Sequence, residues 1–170
     1  KPVCLASMIG CIANVRVRSV GTLGGNLAFA DPASDPATFL TAVNAQVAIR
    51  GPGGFRRTIS VEDLSVSAYQ TALEDGEVIE AVLIQPTESG VVTVHGRFKF
   101  QERPAIAVTV SARASGGLIS ESRIAVGAVS PAPTRFRDAE TLLQGVESHE
   151  VLEAATRVGD AVAETVQLLD

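Results

Sequence analysis

The most constraining stretch of this chain is residues 91–129, where three strand-length segments follow one another: 91–100, 106–115 and 118–129. The last two are joined at Gly116-Gly117, a pair that supplies the positive φ a tight hairpin needs. Three consecutive segments with short connections predict an antiparallel meander. Beyond the meander the pattern turns helical: residues 136–144 close at Gly145, a C′ glycine, and 150–169 carries apolar residues at helical spacing. A sheet succeeded by helices predicts an α+β fold in which helices pack on one face of an antiparallel sheet.

The first half is punctuated differently. Leu5, Met8, Ile9 and Ile12 recur at steps of three and four, which predicts a helix over 3–15. Because the chain begins inside this apolar pattern, with no cap, it reads as starting mid-domain. A glycine-rich loop over 17–26 comes next, then a short helix over 36–45, with Asp35 as N-cap and Pro36 at the first helical position. Residues 46–50 and 55–59 read as a hairpin closed by Gly51-Pro52-Gly53-Gly54. After 61–64 comes a linking stretch, then residues 77–84 form a strand stopped by Pro86, and the polar stretch 87–90 marks a domain boundary. The expected units are therefore 1–86 and 87–170.

Charge and residue spacing exclude several classes of function. The net charge is −5, with 14 Lys and Arg scattered along the chain, so a nucleic-acid partner is not expected. No run of apolar residues is long enough for a membrane span. Cys4 and Cys11 would lie on one helical face about two turns, or ~10 Å, apart, too far for a disulfide, and they read as two buried thiols. His95 and His149 show no metal-ligand spacing, so no metal site is expected. Ser19, Ser34 and Ser130 lack a nucleophile-elbow context. Glu62, Asp63, Glu74, Asp75 and Glu77 read as solvated charges.

Chemistry concentrates in Val17-Arg18-Ser19-Val20-Gly21-Thr22-Leu23-Gly24-Gly25-Asn26-Leu27. Glycines let successive amides turn to one side and let a phosphate come close, Thr22 adds a hydroxyl, and Asn26 tolerates unusual backbone angles. The segment is neither G-x-G-x-x-G nor a P-loop, so a plain structural turn stands beside phosphate binding.

The wider pattern is more specific. Residues 14–27, running into Ala30-Asp31-Pro32-Ala33-Ser34-Asp35, resemble the second flavin loop of the FAD-binding medium subunits of molybdenum hydroxylases, the xanthine dehydrogenase and carbon monoxide dehydrogenase type. Residues 69–79 (Tyr-Gln-Thr-Ala-Leu-Glu-Asp-Gly-Glu-Val-Ile) are similar to the segment leading into the last strand of that FAD domain, and 123–129 and 133–140 are similar to its C-terminal domain. The resemblance implies the C-terminal half of a PCMH-type FAD-binding domain followed by a small domain with a three-stranded antiparallel sheet on helices. It also implies FAD as cofactor, with Thr22, Leu23, Gly24, Gly25 and Asn26 at the diphosphate.

Further implied contacts are Asp35, which the residues alone read equally well as a helix cap, and Lys99, a cation beside the isoalloxazine or simply a solvated strand lysine. Ile12 and Ile79 are implied to lie against the cofactor or to be plain core residues. Partners implied are a molybdopterin large subunit and an iron–sulfur small subunit, with NAD or a quinone as acceptor, in the cytoplasm. Two departures stand out: the family's other flavin loop, an Ala-Gly-Gly-Thr type segment, is absent, and the 101–105 connection is short. A chain without that loop is expected to hold FAD weakly and to be inactive alone. The alternative is a subunit-docking module that binds no flavin.

Overall fold

The computed structural model describes residues 3–100 and 103–166. Helix α1 (Val3–Gly10) ends sooner than the apolar spacing predicts, because the chain turns at Ala13, φ +41°, and restarts. Asn14 caps α2 (Val15–Val20) by accepting from the Arg16 and Val17 amides. Gly21 and Thr22 then lead into α3 (Leu23–Phe29), where the Thr22 hydroxyl accepts from the Gly25 amide at 2.9 Å. The expected glycine-rich loop is thus a pair of short helices meeting at a tight turn. The early end of α1 also corrects the cysteine reading: Cys11 lies beyond it and is exposed, while Cys4 is half-buried.

In α4 (Asp35–Ala42) the cap is Ser34, whose hydroxyl accepts from the Ala37 amide, and Asp35 is the first helical residue rather than the N-cap. That leaves the Asp35 side chain free for tertiary contacts. Every residue of α4 is buried, so this helix is the axle of the molecule.

Strands β1 (Gln46–Arg50) and β2 (Arg56–Ser60) form the expected hairpin, closed by a 3-10 turn at Pro52–Gly54. Residues 61–64 form a helical turn, α5 (Val61–Leu64), capped by Ser60. Strands β3 (Ser65–Ser67) and β4 (Gln70–Thr71) make a two-stranded ribbon, and β5 (Val78–Leu83) completes a sheet of order β2-β1-β5. Leu27, Phe39, Leu40, Val47, Ile49 and Leu64 form the core beneath it.

Glu77 is not solvated: its side chain is 3% exposed, paired with Arg57 at 2.7 Å and accepting from the Glu74 amide. Before it, Gly76 has φ +82°, and a side chain there would come within 2.9 Å of the Pro52 ring. Gly76→Ala is therefore expected to cost about 1–2 kcal/mol in urea denaturation. An unchanged midpoint would show that this turn relaxes freely.

The second sheet contains β6 (Val91–Phe100), β7 (Arg103–Ser115) and β8 (Leu118–Gly127) in antiparallel register, and the expected three strands gain a fourth, β9 (Thr134–Arg135). The glycine pair of the β7–β8 turn has φ +60° and +84°. Helices α6 (Arg137–Thr141) and α7 (Val151–Thr165) cover one face, with Ile124, Val126, Leu143, Ala154 and Val162 forming the second core. The predicted last helix runs on into 167–169, which lie outside the described residues. The opposite face of β7 and β8 receives α4. No helix among the described residues is long and apolar enough to cross a membrane.

Candidate functional site

The turn between α2 and α3 is built by three small residues with separate jobs. Gly21 carries no Cβ because one would come within 2.9 Å of the Val17 carbonyl oxygen, the acceptor that closes α2. Gly24 faces inward: a side chain there would meet the Ile79 carbonyl at 3.4 Å and the Ile79 Cβ at 3.5 Å, so its absence lets α3 lie directly on β5. Gly25 faces outward and is exposed, with only the Thr22 hydroxyl within 4 Å of the space a side chain would take. The first amides of a helix have no partner inside it, and here Thr22 satisfies only that of Gly25. Those of Leu23 and Gly24 have no acceptor among the described residues and lie at the positive end of α3.

Asn26, in the same turn, is tied to the next helix: its side-chain oxygen accepts from the Ser34 hydroxyl at 2.6 Å. Next to Ser34, Asp35 is 6% exposed and meets two side chains from β6. Arg97 Nη1 donates to its Oδ2 at 2.7 Å, and His95 Nε2 faces its Oδ1 at 3.4 Å. Burial alone would raise the Asp35 pKa, but the His95 contact and charge, joined by those of Arg97, outweigh it and hold the carboxyl below its ordinary 3.8. The other nitrogen of His95, Nδ1, bonds the buried Thr109 hydroxyl at 2.8 Å. A tautomer that accepts from Thr109 through Nδ1 carries its hydrogen on Nε2, toward Asp35.

The remaining expected residues divide. Ile79 is the floor beneath Gly24 and packs into the first core, and Ile12 packs into the same core at the α1–α2 turn. Thr22, Leu23, Gly24, Gly25, Asn26, Ile79 and Asp35 therefore form one connected region. Lys99 is exposed, and the β6–β7 register shifts between Phe98 and Lys99. The cation of β6 that reaches this region is Arg97. The sequence pattern alone singles out neither Arg97 nor a role for His95, although both belong to the alternation of β6.

A sequence profile described as the FAD binding domain in molybdopterin dehydrogenase matches residues 3–87. The chain belongs to this family. Among relatives of the family, it is 38% identical over 155 residues to the nicotine 6-hydroxylase medium subunit of Paenarthrobacter nicotinovorans, covering 87% of this chain and 52% of that protein. It is 29% identical over 166 residues to the carbon monoxide dehydrogenase medium chain of Hydrogenophaga pseudoflava, covering 96% and 58%. A solved structure of carbon monoxide dehydrogenase from Hydrogenophaga pseudoflava superposes with a TM-score of 0.91 at 30% identity, over 99% of this chain and 58% of that one. The chain thus spans about half the length of the curated relatives it matches.

FAD, the cofactor of this family, carries a diphosphate, and the first turn of α3 fits such a group. It offers two amides with no acceptor among the described residues, an exposed glycine and no carboxylate among residues 21–26.

Proposed function

We propose that this chain is part of the FAD-carrying subunit of a molybdopterin-containing oxidoreductase, with the first turn of α3 holding the cofactor's diphosphate. The single observation that carries this reading is the outward-facing Gly25 beside the open amides of Leu23 and Gly24. In it, Thr22, Leu23, Gly24, Gly25 and Asn26 supply the cradle, Ile79 backs it, and Asp35 and Ile12 stand behind. Lys99 keeps a place in this set only as an exposed cation at the end of β6. The part before residue 87 carries the cradle, and the part after it is a second unit that braces it and offers surface to other subunits.

Bound FAD supplies redox chemistry that no side chain of this chain provides. The chain's own residues bind and orient; none among those described is arranged for acid–base catalysis at the cradle. By analogy with relatives named as medium chains of larger enzymes, the subunit takes electrons from the iron–sulfur centres of one partner and stands beside a molybdopterin subunit. It delivers those electrons to an external acceptor such as NAD or a quinone.

The test is a titration of the chain with FAD, followed by flavin fluorescence and the visible absorption band. Gly25→Asp places bulk and negative charge over the open amides and is expected to weaken binding at least tenfold, about 1.4 kcal/mol, without changing far-ultraviolet circular dichroism. Equal binding by wild type and variant would move the diphosphate elsewhere. If the wild-type chain ignores FAD altogether, a flavin-free docking module becomes the better account.

A further inference from the structure

β6 is amphipathic in the reverse of the usual sense. Val92, Val94 and Phe98 are exposed, whereas Thr93, His95 and Arg97 alternate with them on the face turned toward α4. There the His95 ring meets Phe39 edge-on, with centroids 6.5 Å apart. A polar inner face is costly to bury, and it persists only where its groups find partners. Following the partners of Arg97 leads in two directions, and both end at the glycine turn.

The first arm runs through Asp35. Arg97 Nη1 holds the Asp35 carboxylate at 2.7 Å, Asp35 adjoins Ser34, and the Ser34 hydroxyl is bonded to Asn26 in the first turns of α3. The second runs through the main chain. Arg97 Nη2 donates to the Cys11 carbonyl at 2.8 Å, and the next two carbonyls, of Ile12 and Ala13, accept from Arg18 of α2. α2 and α3 are the two walls of the turn at Gly21 and Thr22, so one guanidinium is connected to both. Neither Arg97 nor His95 lies within residues 3–87, the part that matches the FAD-binding family.

We propose that Arg97, which shares Asp35 with His95, is a positioning residue for the cofactor. It sets the placement of α2 against α3, and so the direction in which the Leu23 and Gly24 amides point. The second unit is then part of the FAD site although it supplies none of the cradle itself. This rests on the reading of the α3 turn as the diphosphate site. The guanidinium is suited to the role because its two terminal nitrogens diverge in a fixed plane, one toward a carboxylate and one toward a carbonyl; an ammonium keeps the charge but not the fork.

The experiment is the FAD titration of the full chain, read by flavin fluorescence and by visible circular dichroism of the bound flavin. Arg97→Met is expected to weaken binding about tenfold and to change the visible dichroism, with Arg97→Lys falling between it and wild type. Arg113→Met removes a cation from the same sheet, where it pairs with Glu88, and is expected to leave affinity within about twofold. Arg97 variants that bind and look like wild type overturn the proposal while leaving the FAD reading intact. So does an equal loss in Arg97→Met and Arg113→Met, which would mark a general effect of weakening the sheet. A wild-type chain that binds no FAD overturns both. Should Arg97→Met fail to fold, Arg97→Lys decides alone, because it retains the ion pair and loses only the second arm.

Discussion

Gly127→Ala is expected to destabilise the chain by about 3 kcal/mol, lowering its thermal midpoint by about 10 °C. Gly127 ends β8 where the fully buried α4 crosses the second sheet, and a methyl group there would overlap Thr38 Oγ1 and lie 3.3 Å from the Pro32 carbonyl oxygen. Neither neighbour can give way cheaply. Thr38 is fully buried and its hydroxyl donates to the Ser34 carbonyl at 3.0 Å, while the Pro32 carbonyl accepts from Ala128 at 2.8 Å. Removing the hydroxyl should make room, so the double variant Gly127→Ala, Thr38→Ala is expected to be more stable than Gly127→Ala alone. Thermal melts of the four proteins in this cycle measure the coupling. Strictly additive effects would mean that the clash is relieved by a shift of the whole helix instead.

This seam also explains which parts of the molecule are legible in the sequence. The β1–β2 and β7–β8 hairpins are readable because their information is local: glycine turns with positive φ between strand-length segments. The glycine-rich segment is not readable as helix. Two adjacent glycines in α3 cost about 1 kcal/mol each in helix propensity, and α2 has no buried residue to betray a period. What holds them is capping by Asn14 and Thr22, a signal present in the sequence but weak without a hydrophobic face behind it. The residues of the turn itself stand out through their resemblance to a family, and the structure adds why two neighbouring glycines are needed for opposite reasons.

His95 and Arg97 are invisible for another reason. Their partner Asp35 is 62 residues from Arg97, and in a strand where polar and apolar residues alternate, nothing local says which face is buried. The ordinary assumption, apolar side inward, is wrong for β6. Glu77 misleads similarly: an acidic run reads as solvated, and only the arrival of Arg57 from the neighbouring hairpin turns one member of it into a buried structural pair.

The second large effect is expected at Asp35. Asp35→Leu leaves the Arg97 guanidinium, 23% exposed, without its counter-charge and places an apolar group against His95. Removing one partner of such a pair is expected to cost up to about 3 kcal/mol, the low end for buried pairs, because the guanidinium keeps its bond to the Cys11 carbonyl and some water. Replacing both partners, as in Asp35→Leu with Arg97→Met, should recover much of that loss, measured as urea midpoints at neutral pH. The milder Asp35→Asn adds a pH signature. The native carboxyl has a pKa below 3.8, so its ionic contribution is complete above that value and is lost as the pH falls through the lower, folded one. The stability gap between wild type and Asp35→Asn should therefore be present at about pH 5 and narrow towards about pH 3. A gap that persists unchanged into acid would mean that Asp35 stabilises the seam by shape and hydrogen bonding, and that its charge adds nothing.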